Sequence, residues 1–168
     1  ICLFEIKHKV YPTYNREESI GLDFSPSECY VDSNGHTGRD FDYVPQKQKN
    51  RKVLRKYQRK LARKTKGSLN YRKAKIKLAR IEEYVANCRR DWIEKETLRL
   101  VMNYDKVVVE DLNLIGISKF LSNAKNMNDT SWGIFVERLI AKGLDYNCQV
   151  IKADRWFPSS QLCSNCGY

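Results

Sequence analysis

The sequence predicts an α/β domain organised on a mixed sheet, and three observations carry that prediction. Short apolar stretches of strand character, residues 19–24 and 105–110, stand far apart in the chain. Between them, over residues 46–104, the hydrophobic period changes from two to that of a helix. After the second stretch, an amphipathic segment and one more extended run repeat the strand–helix–strand order from which layered α/β domains are built.

Taken in order, Ile20, Leu22 and Phe24 alternate with Gly21 and Asp23, so the first strand has one apolar face. Beyond Ser25-Pro26, a second extended stretch from Glu28 to Asp32 runs into Ser33-Asn34-Gly35, where Asn and Gly accept the positive φ of a tight turn. Residues 36–43 read as the returning strand of an antiparallel meander, and residues 1–11 as a further strand from a preceding domain. Pro45 closes that unit. Leu54, Tyr57 and Leu61 then recur at helical spacing until Lys66-Gly67-Ser68 interrupts the pattern. From Leu69 onward, Tyr71, Ala74, Leu78, Ile81, Val85, Cys88 and Trp92 form a heptad seam. An antiparallel helical hairpin with a basic outer surface is expected. A homodimeric coiled coil is the alternative that the seam leaves open. The Val-rich run Asp105 to Glu110 suits a central strand covered on both faces. Residues 113–130 read as a loop with a short helix, and 131–145 as a helix packed through Trp132, Phe135, Val136, Leu139 and Ile140. Cys148 to Ile151 forms a last strand, and 153–168 a turn-rich tail.

Composition narrows the function. The 168 residues carry 31 Lys and Arg against 20 Asp and Glu, a formal charge of +11, and their 42% apolar content excludes a disordered chain. No apolar run approaches the roughly 18 to 20 residues of a helical membrane span, and no signal peptide opens the chain. Starting at Ile1 and stopping at Tyr168 inside a motif, the chain reads as a fragment of one domain. Residues 46–80 hold 16 Lys and Arg and no acid, so the whole positive excess sits in this segment. Such density attracts polyanions through counterion release. Anionic lipid fits less well, because no Trp/Phe/Leu-rich face accompanies the charges. A solvated basic run is the remaining alternative.

Two groups of residues carry candidate chemistry. Asp23 lies mid-strand opposite the apolar face, and Glu110 ends the Val-rich strand. A carboxylate on a buried strand is costly unless it is paired or holds a metal. On neighbouring strands these two would converge and suit a pair of Mg²⁺ or Mn²⁺ ions for phosphodiester cleavage. The plainer alternative has Asp23 capping the turn at Ser25-Pro26 and Glu110 paired with a lysine. Among the six cysteines, Cys2, Cys29, Cys88 and Cys148 are isolated and read as small core residues. Cys163-Ser164-Asn165-Cys166-Gly167 instead has the spacing of a zinc knuckle, of which it supplies half the ligands. A redox motif is the alternative there, without a thioredoxin-like context.

Three stretches together resemble one family. Ile20-Gly21-Leu22-Asp23-Phe24, Val108-Val109-Glu110-Asp111-Leu112-Asn113 and residues 154–168 are similar, in family order, to segments of TnpB, the RNA-guided nuclease of bacterial and archaeal insertion sequences related to type V CRISPR effectors. The resemblance covers nearly all of residues 19–168, and the third stretch is the most specific. It implies a RuvC-like nuclease domain of RNase H fold over residues 16–160, with the helical hairpin inserted at 46–104. Residues 1–15 would end a preceding domain, and 161–168 would begin a zinc ribbon. Asp23 and Glu110 take the places of the first two catalytic, Mg²⁺-binding acids, and Cys163 and Cys166 the first pair of Zn²⁺ ligands. The family's second Cys-x-x-Cys and third acid would fall beyond Tyr168. The chain by itself is therefore expected to be inactive, with Asp154 as a substitute acid a minor alternative.

The expected function is transposon-associated, RNA-guided cleavage of DNA in a bacterial or archaeal cytoplasm, with DNA and a guide RNA as partners and no membrane. The residues expected to hold nucleic acid are Lys52, Arg55, Lys56, Arg59, Lys60, Arg63, Lys64, Arg72, Lys73 and Lys77. Two rival readings are a non-catalytic nucleic-acid-binding remnant of a mobile element and a coiled-coil interaction protein.

Overall fold

The alternation of apolar and polar residues in 17–25 builds a nine-residue edge-to-centre strand, β1 (Glu17–Ser25), whose Ile20 and Leu22 are buried. The computed structural model describes residue 11 and residues 16–26, 28–37, 43–112 and 131–154, with only the backbone for 43–48. A short strand, β2 (Cys29–Asp32), pairs antiparallel with β1, Asp23 lying opposite Val31. The Ser33-Asn34-Gly35 turn follows, with Gly35 at φ 83°. Asp32 buries its carboxylate beneath this turn because Oδ1 accepts the backbone N–H groups of Asn34 and His36, each at 2.9 Å. Those two bonds replace the water it loses.

The returning strand expected over 36–43 is described only at its two ends. Thr37 makes a single bridge to Val31, residues 38–42 lie outside the described residues, and Tyr43 already begins a helix, α1 (Tyr43–Ala62). Pro45 therefore sits inside the first helical turn, where a missing N–H costs nothing because no partner exists for it. The second helix, α2 (Leu69–Asn103), begins where the break was expected. Ser68 caps it by accepting from the Tyr71 N–H at 3.1 Å, and Gly67 makes the turn at φ 86°.

The heptad seam of α2 is its least exposed side, and α1 packs on it through the half-buried Leu54, Tyr57 and Leu61. The seam thus has a partner within the chain, in the antiparallel hairpin that the sequence predicts. With 35 residues, α2 also outruns the hairpin. Its second half supplies Trp92, Ile93, Leu100 and Val101 to the main core, so one continuous helix serves both insert and core.

From Asn103 the chain turns directly into β3 (Tyr104–Glu110), which lies parallel to β1 with Leu22 beside Val109. A third helix, α3 (Trp132–Tyr146), leads into β4 (Gln149–Ala153), parallel to β3. The result is a mixed four-stranded sheet of order β2-β1-β3-β4 with three helices among the described residues. Val107 and Val109 are fully buried but Val108 is not, which corrects the expectation of a strand covered on both faces. The buried hydrophobic residues of α3, and those of α2 from Trp92 onward, join the face of Ile20, Leu22, Val107 and Val109.

That face is closed by aromatic contacts. Trp132 stacks on Phe135 at 5.4 Å between centroids and tilts against Phe24 at 5.4 Å, while Phe135 meets Trp92 at 6.0 Å and Tyr30 at 5.9 Å. Polar ties then set the helices on the sheet. The Tyr30 hydroxyl donates to buried Glu96 at 2.5 Å, and Arg99 pairs with the same carboxylate at 2.7 Å, joining β2 to α2. Lys142 of α3 pairs with Glu94 of α2 at 2.8 Å and donates to Thr97 at 3.0 Å. Arg16 donates to the carbonyls of Tyr146 and Asn147 and pairs with Asp105 at 3.2 Å, tying the starts of β1 and β3 to the end of α3. Of the isolated cysteines, Cys29 and Cys148 are buried and Cys88 is half-buried, while Cys2 lies outside the described residues.

Candidate active site and nucleic-acid interface

Side chains two apart on a strand share a face, and neighbours in register across a sheet stand side by side. In the parallel pairing of β1 and β3, Gly21 lies beside Val108 and Leu22 beside Val109. One step further, Asp23 and Glu110 meet on the face away from the helices. The Asp23 carboxylate and the Phe24 backbone N–H both act on the Glu110 carboxyl. The Glu110 pKa is accordingly raised, first by burial, then by the bond to Asp23 and the repulsion of its charge, with the Phe24 N–H opposing. Asp23 itself is exposed and Glu110 half-buried, so the pair opens to solvent on one side.

The pairing differs from the plainer alternative weighed from the sequence. The Oγ of Ser25, and not Asp23, accepts the Glu28 N–H of the following turn, at 3.3 Å. The lysine near the end of β3, Lys152, stands 4.0 Å from Asp111. Donor chemistry at the pair fits a hard divalent cation: oxygen ligands only, one of them short of solvent, with a repulsion that a cation would relieve. Among the described residues no third His, Cys, Asp or Glu joins the two acids to make a three-ligand group, and Asp154 after β4 does not complete one. Cys163 and Cys166 lie outside the described residues.

The basic segment forms two adjoining grooves. Along α1, Lys52, Arg55, Lys56, Arg59, Lys60 and Arg63 line a depression of about 390 Å³. Lys60 and Arg63 also enter a second groove of about 510 Å³ between the two helices, where Lys64, Lys73 and Lys77 join them. Of the cations expected to bind nucleic acid, Arg72 is exposed on α2 but lines neither groove. Tyr57 and Asn70 line the second groove and were not expected there; the seam position of Tyr57 and the helix-start position of Asn70 had explained them without it. The Phe24 N–H was also missed, because only the register of β1 against β3 brings it to Glu110.

Paired carboxyls on parallel strands and a helical hairpin lined with cations are the two features of this α/β chain that carry candidate chemistry. Comparison with known proteins agrees in kind. Residues 4–121 match the OrfB_IS605 family, described as probable transposase, and residues 132–168 match the Cas12f1-like TNB domain. A Streptomyces pristinaespiralis protein named as a candidate RNA-guided DNA endonuclease is 36% identical over 131 residues, 78% of this chain and 33% of its own length. The similarly named InsQ of Escherichia coli K12 is 30% identical over 172 residues, 94% of this chain and 42% of its own length. A Mycobacterium tuberculosis H37Rv relative with the same kind of name is 32% identical over 119 residues. This chain belongs to the OrfB_IS605 family of probable transposases, in agreement with the resemblance to TnpB. It spans between about a quarter and two fifths of the length of these relatives. Among the described residues no helix is long and apolar enough to cross a membrane.

Proposed function

We propose that this chain carries part of a transposon-associated, RNA-guided DNA endonuclease whose nuclease domain is RuvC-like. The observation that supports the reading most directly is the meeting of Asp23 and Glu110 across β1 and β3. The names of the relatives supply the guided, DNA-directed part of the proposal. Asp23 and Glu110 would hold Mg²⁺ or Mn²⁺, which when bound lowers the pKa of water and neutralises charge at the leaving oxygen. The exposed Asp23 faces the incoming phosphate. Glu110, on which the Phe24 N–H acts, would keep the position of the pair. Cys163 and Cys166 are proposed as half of a zinc site on their spacing alone.

The hairpin cations would grip the sugar–phosphate backbone and leave the reading of sequence to the RNA. Cleavage of matched plasmid DNA by the complete protein loaded with its RNA tests the proposal. Asp23→Ala is expected to lower the cutting rate by more than about a hundredfold with DNA binding retained. Undiminished cutting would overturn the assignment. Tight binding without cleavage by the unsubstituted protein would instead support the alternative of a non-catalytic, nucleic-acid-binding remnant of a mobile element.

A further inference from the structure

Gly21 is a glycine that the fold itself does not require. It lies inside β1, where glycine weakens a strand. Its backbone is outside the positive-φ region, which among the described glycines holds Gly35 and Gly67. Crowding does not demand it either. Among the described residues an added Cβ would meet only Ser33 Cβ, at 3.9 Å, an ordinary contact. A bare position in a strand then marks the close approach of something outside the chain. Gly21 stands two residues before Asp23 and beside Val108 of β3, so it shares the face of Asp23 and Glu110, away from the helices.

A second group borders the same spot. The antiparallel register that sets Leu22 opposite Asp32 continues to place Ser33 beside Gly21. The Ser33 N–H donates to the Gly21 carbonyl at 2.9 Å, and the Gly21 N–H donates to Ser33 Oγ at 3.3 Å. The exposed hydroxyl is thereby held as an acceptor, while its own proton goes to no described residue. From Gly21 to Asp23 the strand advances about 7 Å, at roughly 3.4 Å per residue. Over that length one nucleic-acid strand presents about two phosphates.

We infer that Ser33 and Gly21 seat the phosphate next to the one that reacts at Asp23 and Glu110, the Ser33 hydroxyl donating to its oxygen across the bare glycine. The inference deepens the proposed function and rests on it for the identity of the ligand. A neutral hydroxyl suits this place, because it adds a donor without competing with a cation for the two acids.

An amide-resolved NMR titration of the protein with Mg²⁺, using a thymidine tetranucleotide and separately inorganic phosphate, tests the inference. The Gly21 and Ser33 amides are expected to shift saturably with the tetranucleotide, and far less with inorganic phosphate, which has no tethered neighbour at the acids. Ser33→Ala should weaken the affinity read at the Phe24 and Val108 amides by about tenfold, the loss of one bond to a charged acceptor. Gly21→Ala should weaken it by about fivefold or more, because its methyl group stands where the phosphate sits. The melting temperature of Gly21→Ala should equal or exceed that of the parent, since a Cβ fits the fold at that point. Unmoved Gly21 and Ser33 amides overturn the inference, as does parent-like local affinity in either variant. Equal shifts with inorganic phosphate, or a Gly21→Ala protein that melts well below the parent, overturn it too. Guided cutting by the complete protein without these shifts would sink this inference alone. The shifts without guided cutting would sink only the nuclease proposal.

Discussion

Replacing Glu110 by Gln should stabilise the protein at neutral pH, and the size of the effect follows from where the strands put the two acids. Neighbouring strands lie about 4.8 Å apart. Two unit charges at that separation repel by about 3 to 4 kcal/mol at an effective dielectric of 20, and by about 1 kcal/mol in bulk water. Asp23 is exposed, so the screened end of the range applies and a gain of about 1 kcal/mol is expected. In a chain of this size that corresponds to a Tm about 2–4 °C higher. The sign depends on pH. The Glu110 pKa is raised by burial, by its bond to Asp23 and by the Asp23 charge. Its protonated form therefore supports folding below the ordinary glutamate range, and that support is lost as pH rises through the raised folded-state value. Thermal melts of the parent and Glu110→Gln proteins should diverge above that window and converge below about pH 4. Adding Mg²⁺ should raise the parent Tm and move the variant much less, because the repulsion relieved by the cation is already gone. An offset that is the same at low and neutral pH would refute the reasoning, as would a variant less stable than the parent at pH 7.

Other positions give equally direct outcomes. Glu96→Ala leaves the buried Tyr30 hydroxyl and the Arg99 guanidinium without their shared acceptor, and should cost about 3–5 kcal/mol in urea unfolding. Tyr30→Phe removes two bonds, one donated to Glu96 and one accepted from Arg99 at 3.2 Å, and leaves the ion pair, so its cost should be about 1.5–3 kcal/mol. At Gly143 an added Cβ would stand 2.7 Å from the Cys148 carbonyl oxygen and 2.9 Å from Val150 Cγ2. Gly143→Ala must therefore push β4 away from α3, and is expected to destabilise by about 1–3 kcal/mol in the same assay.

The residues show which parts of this molecule are local in origin. Strand β1 was readable because Ile20, Leu22 and Phe24 alternate, the hairpin because the seam residues repeat and Gly67 interrupts them, and the basic track because its cations crowd one segment without an acid. Each of those signals arises within a few turns or a few pleats of chain. The start of α1 was placed at residue 46 and not at Tyr43 because Pro45 marks a break in either element, and only the first-turn position makes it compatible with a helix.

What the chain's order alone could not decide is how distant pieces meet. The pairing of Asp23 with Glu110 depends on β1 lying beside β3 in one register; a shift by one residue would turn either acid toward the helices. The double service of α2, seam to α1 and core to the sheet, depends likewise on where a 35-residue helix comes to rest. Local sequence determined which elements form and where the charge lies. Long-range strand pairing and the burial of one sheet face decided which side chains share a site, since those energies exist only once distant segments are in contact.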